Sequence, residues 1–385
     1  MEKLLSPEEI NKIIDLRKFI HANPELAHSE FSTADTIQKF LWDKPDKIIK
    51  RIGETGIAFI YDSGVTGKTI LFRAELDALP IQEINSFPYK STKENISHKC
   101  GHDGHMAILA GLGIVLSKHK INKGKIILLF QPAEEIGEGA QKILNDEKFK
   151  EIKPDYIFAL HNLPGFELGS IITRHENFAS ASKGMIIKLY GKTSHAAEPE
   201  NGINPSIAMS NIIIMLNNLV DDLNGKLIDF SLVTVVCARL GEKAFGTNPG
   251  YAEVMATFRS YNDDDMKLLT ESAGLAVKQI AEKENLKEEI TYTEEFPATV
   301  NSIECIKIIK EVIKENNIKE IKKELPFKWS EDFGHFTYNF NGALFGIGAG
   351  LKTPQLHNPD YDFPDEIIET GIMVFYHIAK KISRL

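Results

Sequence analysis

The densest cluster of chemistry-bearing side chains is the run His98-Lys-Cys-Gly-His-Asp-Gly-His105. A thiolate at Cys100 and an imidazole at His102 suit a divalent transition metal such as zinc, nickel or cobalt. A Cys-x-His pair alone is a weak signal, because buried free cysteines are common. The next apolar run strengthens it by ending Leu128-Leu-Phe-Gln-Pro-Ala-Glu134-Glu135. Of two adjacent carboxylates at a strand's carboxyl end, one can ligate metal while its neighbour handles protons. The following apolar run ends in Ala-Leu-His161-Asn, and Gln355-Leu-His357-Asn lies 196 residues after His161. Each group alone has an ordinary structural explanation. Their recurrence at successive strand ends points to a metal site.

The elements that must position these groups alternate between strand and helix. Gly56 to Tyr61, Thr69 to Arg73, Lys125 to Phe130 and Tyr156 to His161 are β-rich runs. The amphipathic stretches Thr33 to Leu41 and His105 to His119 lie between them. This rhythm predicts an α/β sheet flanked by helices, with a site at its carboxyl edge. Ahead of it, Ser6, Pro7 and Glu9 read as N-cap, N1 proline and capping-box acid. Ile10, Ile13, Ile14, Arg17 (through its stem) and Ile20 then follow at helical spacing. A different order fills the middle of the chain: strand 183–191, helix 204–219, strands 232–240 and 251–260, helix 263–283 and strand 289–294. That βαββαβ order is the ferredoxin-like arrangement. After Pro297 the α/β style returns, with helices over 302–315 and 365–382. The expected organisation is a discontinuous catalytic domain, 1–180 with 295–385, interrupted by a second domain at 181–294.

Composition narrows the function further. The 385 residues carry 45 Lys+Arg against 54 Asp+Glu, a formal charge of −9. That balance argues against DNA or RNA as the main partner. The three cysteines, Cys100, Cys237 and Cys305, are too few and too scattered for a disulfide framework. A reducing cytoplasm is therefore expected. The charged start and the absence of a membrane-length apolar run predict a soluble chain with no signal peptide. Gly64-Val-Thr-Gly-Lys68-Thr69 imitates a phosphate loop, but Asp62 replaces its first glycine and a strand follows it, so it reads as a hairpin turn.

Taken together, the motifs resemble the M20 family of metallo-amidohydrolases. The matching stretches are His21-x-x-Pro-Glu-Leu with Glu30, Arg73-Ala-Glu-Leu-Asp77-Ala-Leu-Pro80 and Cys100-Gly-His-Asp-Gly-His105. They continue through Phe130-Gln-Pro-Ala-Glu-Glu135, Ala159-Leu-His161, Gly191-Lys-Thr-Ser-His195, Ser330-Glu-Asp-Phe333 and Leu356-His-Asn-Pro359. The likeness is to the branch of N-acyl-amino-acid amidohydrolases, hippurate hydrolases, auxin-conjugate hydrolases and N-acetyldiaminopimelate deacetylases. It implies a zinc-peptidase-like α/β catalytic domain with a mixed sheet, and an inserted ferredoxin-like lid that also forms a homodimer interface, with a tetramer as a further assembly. Cys100, His102, Glu135, His161 and His357 match the ligands of a centre for two divalent ions, zinc, manganese, nickel or cobalt. Glu134 matches the catalytic glutamate, and Asp77 an acid beside the metals. His195 matches a histidine that reaches the partner subunit's site. Asn248 and Arg259 fall where lid residues meet the substrate's oxyanion and carboxylate. Glu75 departs from the branch, which usually has Asp there; it reads as a supporting residue and not a ligand. His98 and His105 flank the ligand motif and read as supporting candidates.

The resemblance implies hydrolysis of the amide bond in an N-acyl-L-amino acid, releasing a carboxylate and a free amino acid. Divalent ions lower the pKa of water from 15.7 to about 7. Glu134 would take a proton from the attacking water and pass it to the leaving amine. Carboxypeptidase or dipeptidase action and N-acetyldiaminopimelate deacetylation are alternatives within the family. An inactive metal-bound binding protein is a further one, opposed by the intact Glu134 and ligand set.

Overall fold

The computed structural model describes residues 4–384; residues 1–3, part of the charged start noted above, and residue 385 lie outside it. The first helix, Pro7–Ala22, opens with the expected reciprocal cap. Ser6 Oγ accepts the Glu9 N–H at 3.3 Å, and the Glu9 carboxylate accepts the Ser6 N–H at 2.8 Å. Its inward stripe contains Ile13, Leu16, Arg17, Ile20 and His21. The reading of Arg17 as an apolar stem is corrected, because its guanidinium is itself buried among carboxylates.

Contacts divide the chain into two compact units. One comprises residues up to Phe178, Thr299–Leu325 and the chain from Asp332 onward. The other comprises Ala179–Ala298 and the short return Pro326–Glu331, which the sequence reading did not contain.

The first unit is built on an eight-stranded mixed sheet among the described residues. Its order is Lys47–Ile52, Gly56–Asp62, Lys125–Gln131, Thr69–Glu75, Tyr156–Pro164, Asn341–Gly350, Ile171–Thr173 and Glu320–Lys322. The third to sixth of these run parallel to one another. Buried on both faces, they read as near-continuous apolar runs, as parallel strands do. Because they run together, Glu75, Gln131 and His161 all arrive at one edge of the sheet. The segment 63–68 is not a hairpin turn: the strands on either side of it both pair with Lys125–Gln131, one antiparallel and one parallel, and not with each other. It crosses over the start of that shared neighbour, where the Gly124 N–H donates to Val65 O at 2.8 Å.

Helix His102–Lys118 makes the connection between Thr69–Glu75 and Lys125–Gln131. It is buried at every position from His102 to Leu116 and packs against Pro7–Ala22 and Ile368–Ile382. An apolar helix enclosed on all sides has little freedom to shift. Its first residue, His102, is accordingly well fixed. No helix among the described residues is long and apolar enough to cross a membrane.

The second unit runs strand Ala181–Tyr190, helix Ser206–Asp222, strands Ser231–Leu240 and Tyr251–Ser260, helix Asp263–Lys283 and strand Lys287–Phe296. The four strands form one antiparallel sheet in the order Ser231–Leu240, Tyr251–Ser260, Ala181–Tyr190 and Lys287–Phe296. Tyr251–Ser260 alternates strictly, burying Ala252, Val254, Ala256 and Phe258 in a separate core with residues from both helices.

Candidate metal centre

The carboxyl edge of the parallel strands gathers Cys100, His102, Glu134, Glu135, His161 and His357. The donor atoms of Cys100, His102 and His161 lie within 4.8 Å of one another, as do those of Cys100, Glu135 and His357, and those of His102, Glu134 and Glu135. Cys100, His102 and Glu135 thus each belong to two overlapping triplets. Cys100 Sγ is 3.4 Å from His161 Nε2. His102 Nε2 is 3.8 Å from both a Glu134 and a Glu135 oxygen, and His357 Nε2 is 3.7 Å from the other Glu135 oxygen.

Main-chain carbonyls set the state of two imidazoles. His102 Nδ1 lies 2.9 Å from Asp77 O, and His161 Nδ1 lies 2.9 Å from Asn162 O. A carbonyl only accepts, so each Nδ1 carries a proton, and in the neutral ring Nε2 keeps its lone pair. Burial, together with the neighbouring His105 and His161, holds His102 well below the usual histidine range, so it is neutral. Its Nε2 is buried without a hydrogen-bond partner. Neutral imidazole with a free, inward-facing nitrogen is the metal-binding form. One thiol, three imidazoles and two carboxylates in one pocket make a donor set suited to divalent transition metals.

Asp77 does not join these triplets; it supports them. Its Oδ2 accepts the Glu135 N–H at 3.0 Å while its carbonyl pins His102. Burial pushes its carboxyl up to about 8, the Glu135 N–H pulls the other way, and the nearby Glu30 carboxylate adds to the rise. Ala133, immediately before the Glu pair, is fully buried at φ +51. Such a conformation costs a residue with a Cβ about 1–3 kcal/mol.

His105 is engaged on both nitrogens, with Glu75 Oε2 at 2.7 Å and Asn162 Oδ1 at 2.5 Å, and is not a ligand candidate. Glu75 is fully buried; burial disfavours its charge, but Arg73 and His105 hold it well below the usual carboxylate range. His98 is buried with neither ring nitrogen hydrogen-bonded, and burial lowers it to about 4.

Sequence reasoning missed a buried ion network behind the ligand loop. Arg17 meets Asp103 at 3.1 Å and Asp362 at 3.0 Å. His21 bridges Asp103 at 2.9 Å and Glu83 at 3.0 Å. Lys99 Nζ donates to Glu83 at 2.5 Å and to Tyr361 O at 2.8 Å, and Lys99 O accepts the His357 N–H at 2.8 Å. Lys99 thereby ties the His357 segment to the Cys100–His102 loop. The available signal was the pair Arg17 and His21, four residues apart on a helix face that is otherwise apolar.

The remaining three predicted positions lie in the second unit. His195 is exposed on the two-residue strand Ser194–His195, which pairs with Thr247–Asn248. Its Nδ1 accepts the Ala197 N–H at 3.1 Å, which leaves Nε2 to carry the proton of the neutral ring. Asn248 is buried and bonded within the unit, accepting from Asn204 at 2.6 Å and donating to Ser194 Oγ at 3.0 Å. It is a brace for the His195 loop. Arg259 donates to Lys328 O at 3.1 Å and Ser330 Oγ at 3.0 Å. The structure brings His195 and Asn248 together and leaves Arg259 apart from them.

Residues 71–381 match peptidase family M20/M25/M40. The chain is 30% identical over 370 residues to the hippurate hydrolase of Campylobacter jejuni, covering 95% of each chain. It is 29% identical over 372 residues to the N-acetyl-L-cysteine deacetylase of Bacillus subtilis, covering 96% of this chain and 88% of that one. Its fold is similar to that of the YXEP protein of Bacillus subtilis, described as a dinuclear metal binding peptidase from the M20 family, with a TM-score of 0.83 at 24% identity over 99% of both chains. The chain belongs to peptidase family M20/M25/M40.

Proposed function

We propose that this protein hydrolyses the amide bond of N-acyl-L-amino acids, giving a carboxylate and a free amino acid. The observation that carries the reading is the pair of imidazoles, His102 and His161, whose protons are fixed on Nδ1 by main-chain carbonyls while their Nε2 atoms face a thiol and two carboxylates. Cys100, His102, Glu135, His161 and His357 would hold two divalent cations, with Cys100, His102 and Glu135 each within reach of more than one triplet. Bound there, divalent cations would supply a nucleophilic water at neutral pH and polarise the scissile carbonyl. A reducing cytoplasm fits this reading, since Cys100 must stay a thiolate.

The chain's own residues divide the remaining tasks. A Glu134 oxygen takes the proton of the attacking water and returns it to the amine nitrogen as the C–N bond breaks. Asp77 aims Glu135 through its N–H and His102 through its Nδ1. His195 Nε2–H donates to the oxygen that becomes negative in the tetrahedral intermediate. Asn248, which the resemblance places at the substrate's oxyanion, also steadies the loop that carries His195 through Ser194. Arg259 supplies positive charge for the substrate's carboxylate. The names of the two relatives above support N-acyl amino acids as the substrate class.

We read the second unit as an inserted ferredoxin-like lid and dimerisation domain, spanning 181–294 with the catalytic domain on either side. Its edge strand Ser231–Leu240 exposes Leu232 and Val236, and helix Ser206–Asp222 exposes Ile207 and Ile214, an apolar surface suited to a second copy. In such a homodimer His195 would serve the partner subunit's site. Mixed dimers of His195→Ala and Glu134→Ala chains should then regain activity that neither variant has alone; no recovery would sink the shared site.

The substrate class is tested by a mass-spectrometric screen of N-acetyl amino acids, N-benzoyl amino acids and dipeptides, with zinc, manganese, nickel and cobalt added separately. Metal-dependent release of free amino acid from the N-acyl compounds supports the reading. Turnover of dipeptides alone would replace it with dipeptidase action.

A further inference from the structure

Glu134 and Glu135 leave a turn whose own hydrogen bonds begin only after Ala133, at the Glu134 and Ala133 carbonyls. Ala133 sits in the left-handed region at φ +51 and is fully buried, a conformation that persists only where the surroundings enforce it. After the residue, Ala133 O accepts the N–H groups of Glu138 at 3.3 Å and Gly139 at 3.0 Å. Beyond it, Asp77 Oδ2 accepts the Glu135 N–H at 3.0 Å. The N–H of Ala133 itself goes to Glu30 Oε1 at 2.8 Å.

Glu30 is an unusual holder. It precedes helix Phe31–Phe40, 103 residues before the turn, and is 0% exposed. Its second oxygen accepts the Thr55 hydroxyl at 2.8 Å. Among the described residues, no Lys, Arg or His is shown within ion-pairing distance of it. A buried carboxylate without a counter-charge is costly, and a neutral residue would fill the space more cheaply. An N–H···carboxylate bond is, however, shorter and about twice as strong as a neutral one. That strength is what a turn held in an unfavourable conformation requires.

We propose that Glu30 is a positioning residue for the reaction: its carboxylate locks Ala133 in the left-handed conformation and so sets the directions in which Glu134 and Glu135 enter the metal pocket. The proposal rests on the reading of Glu134 as proton carrier and Glu135 as ligand. Without the lock, Ala133 relaxes to negative φ and both carboxylates swing away together. Glycine adopts either hand with similar ease, so Ala133→Gly should offset the loss of Glu30, an effect that a purely structural Glu30 would not give.

The test titrates Mn²⁺ into metal-free wild-type, Glu30→Ala, Glu30→Gln and Glu30→Ala/Ala133→Gly chains by calorimetry. Turnover is measured in parallel on whichever N-acyl amino acid the wild type cleaves fastest. Glu30→Ala should weaken Mn²⁺ binding and lower kcat by roughly 10- to 100-fold each, with KM changed far less. Glu30→Gln, which keeps an acceptor for Ala133 but only a neutral and weaker one, should recover part of both losses. The double variant should recover about fivefold of each. Should Glu30→Ala not fold, Thr55→Val carries the test: several-fold losses relieved by Ala133→Gly. Wild-type binding in Glu30→Ala, or no recovery in the glycine double variant, overturns the proposal. Failure of the wild type itself to bind Mn²⁺ would instead overturn the metal reading on which it rests.

Discussion

His21 lies between two carboxylates, with Nδ1 2.9 Å from Asp103 and Nε2 3.0 Å from Glu83, and its side chain is fully buried. Two acceptors facing two ring nitrogens require both nitrogens to donate, which makes the ring an imidazolium. Burial opposes that charge, yet the hydrogen bonds and attraction of Asp103 and Glu83 prevail and hold the pKa up at about 9, from 6.5. Between those values the folded chain keeps a proton that the unfolded chain has released. Stability from this group is therefore complete below about pH 6.5 and is lost as pH rises through about 9, at about 1.4 kcal/mol per pH unit. The full interval corresponds to about 3 kcal/mol. The perturbation is His21→Gln, whose amide stays neutral at every pH and donates only from its nitrogen, so the charged bridge is removed. The assay is urea unfolding of both proteins, metal-free with chelator present, at pH 6, 7.5 and 9.5. The wild type should exceed the variant by about 3 kcal/mol more at pH 6 than at pH 9.5. A difference that stays constant over that range would refute the charged bridge.

Other perturbations separate the parts of the fold that hold the site. Ser6→Ala removes the hydroxyl half of the first cap, leaving the backbone N–H to the Glu9 carboxylate, and should cost about 1 kcal/mol in urea unfolding, with metal binding unchanged. Gly104→Ala places a Cβ 2.3 Å from the Phe363 ring, so thermal unfolding should show a loss of about 1–3 kcal/mol. Because Gly104 lies in the first turn of helix His102–Lys118, the same variant should also bind metal less tightly. Cys100→Ser should reduce the metal retained per chain by elemental analysis, since Cys100 belongs to two donor triplets.

Much of the α/β frame could be read from the chain because its signals are local. Helix Asp263–Lys283 and strand Tyr251–Ser260 lie where their periodicity places them. Elements without such periodicity escaped. Asn341–Gly350 carries Gly342, Gly346, Gly348 and Gly350, a composition that reads as loop, yet it is a central parallel strand. Close packing explains its glycines: a Cβ at Gly346 would lie 2.1 Å from Leu163 and one at Gly348 2.0 Å from Glu167 O. Ile171–Thr173 and Glu320–Lys322 are three residues each, too short to show alternation. At the site, the donor residues announced themselves by type and by strand-end placement. Their supports did not, because Arg17, Lys99 and Glu30 acquire meaning only from partners far along the chain, such as Asp362, Tyr361 and Ala133.

The central claim is metal-dependent amide hydrolysis with Glu134 carrying the proton. It is tested most directly by comparing wild type and Glu134→Gln, each loaded with the metal that best supports turnover. Bound metal and release of free amino acid from an N-acyl amino acid are measured on the same preparations. The account predicts that wild-type turnover stops with chelator, and that the variant retains its metal while kcat falls about 10²- to 10⁴-fold. Wild-type turnover by Glu134→Gln, or hydrolysis that survives complete removal of metal, would contradict it.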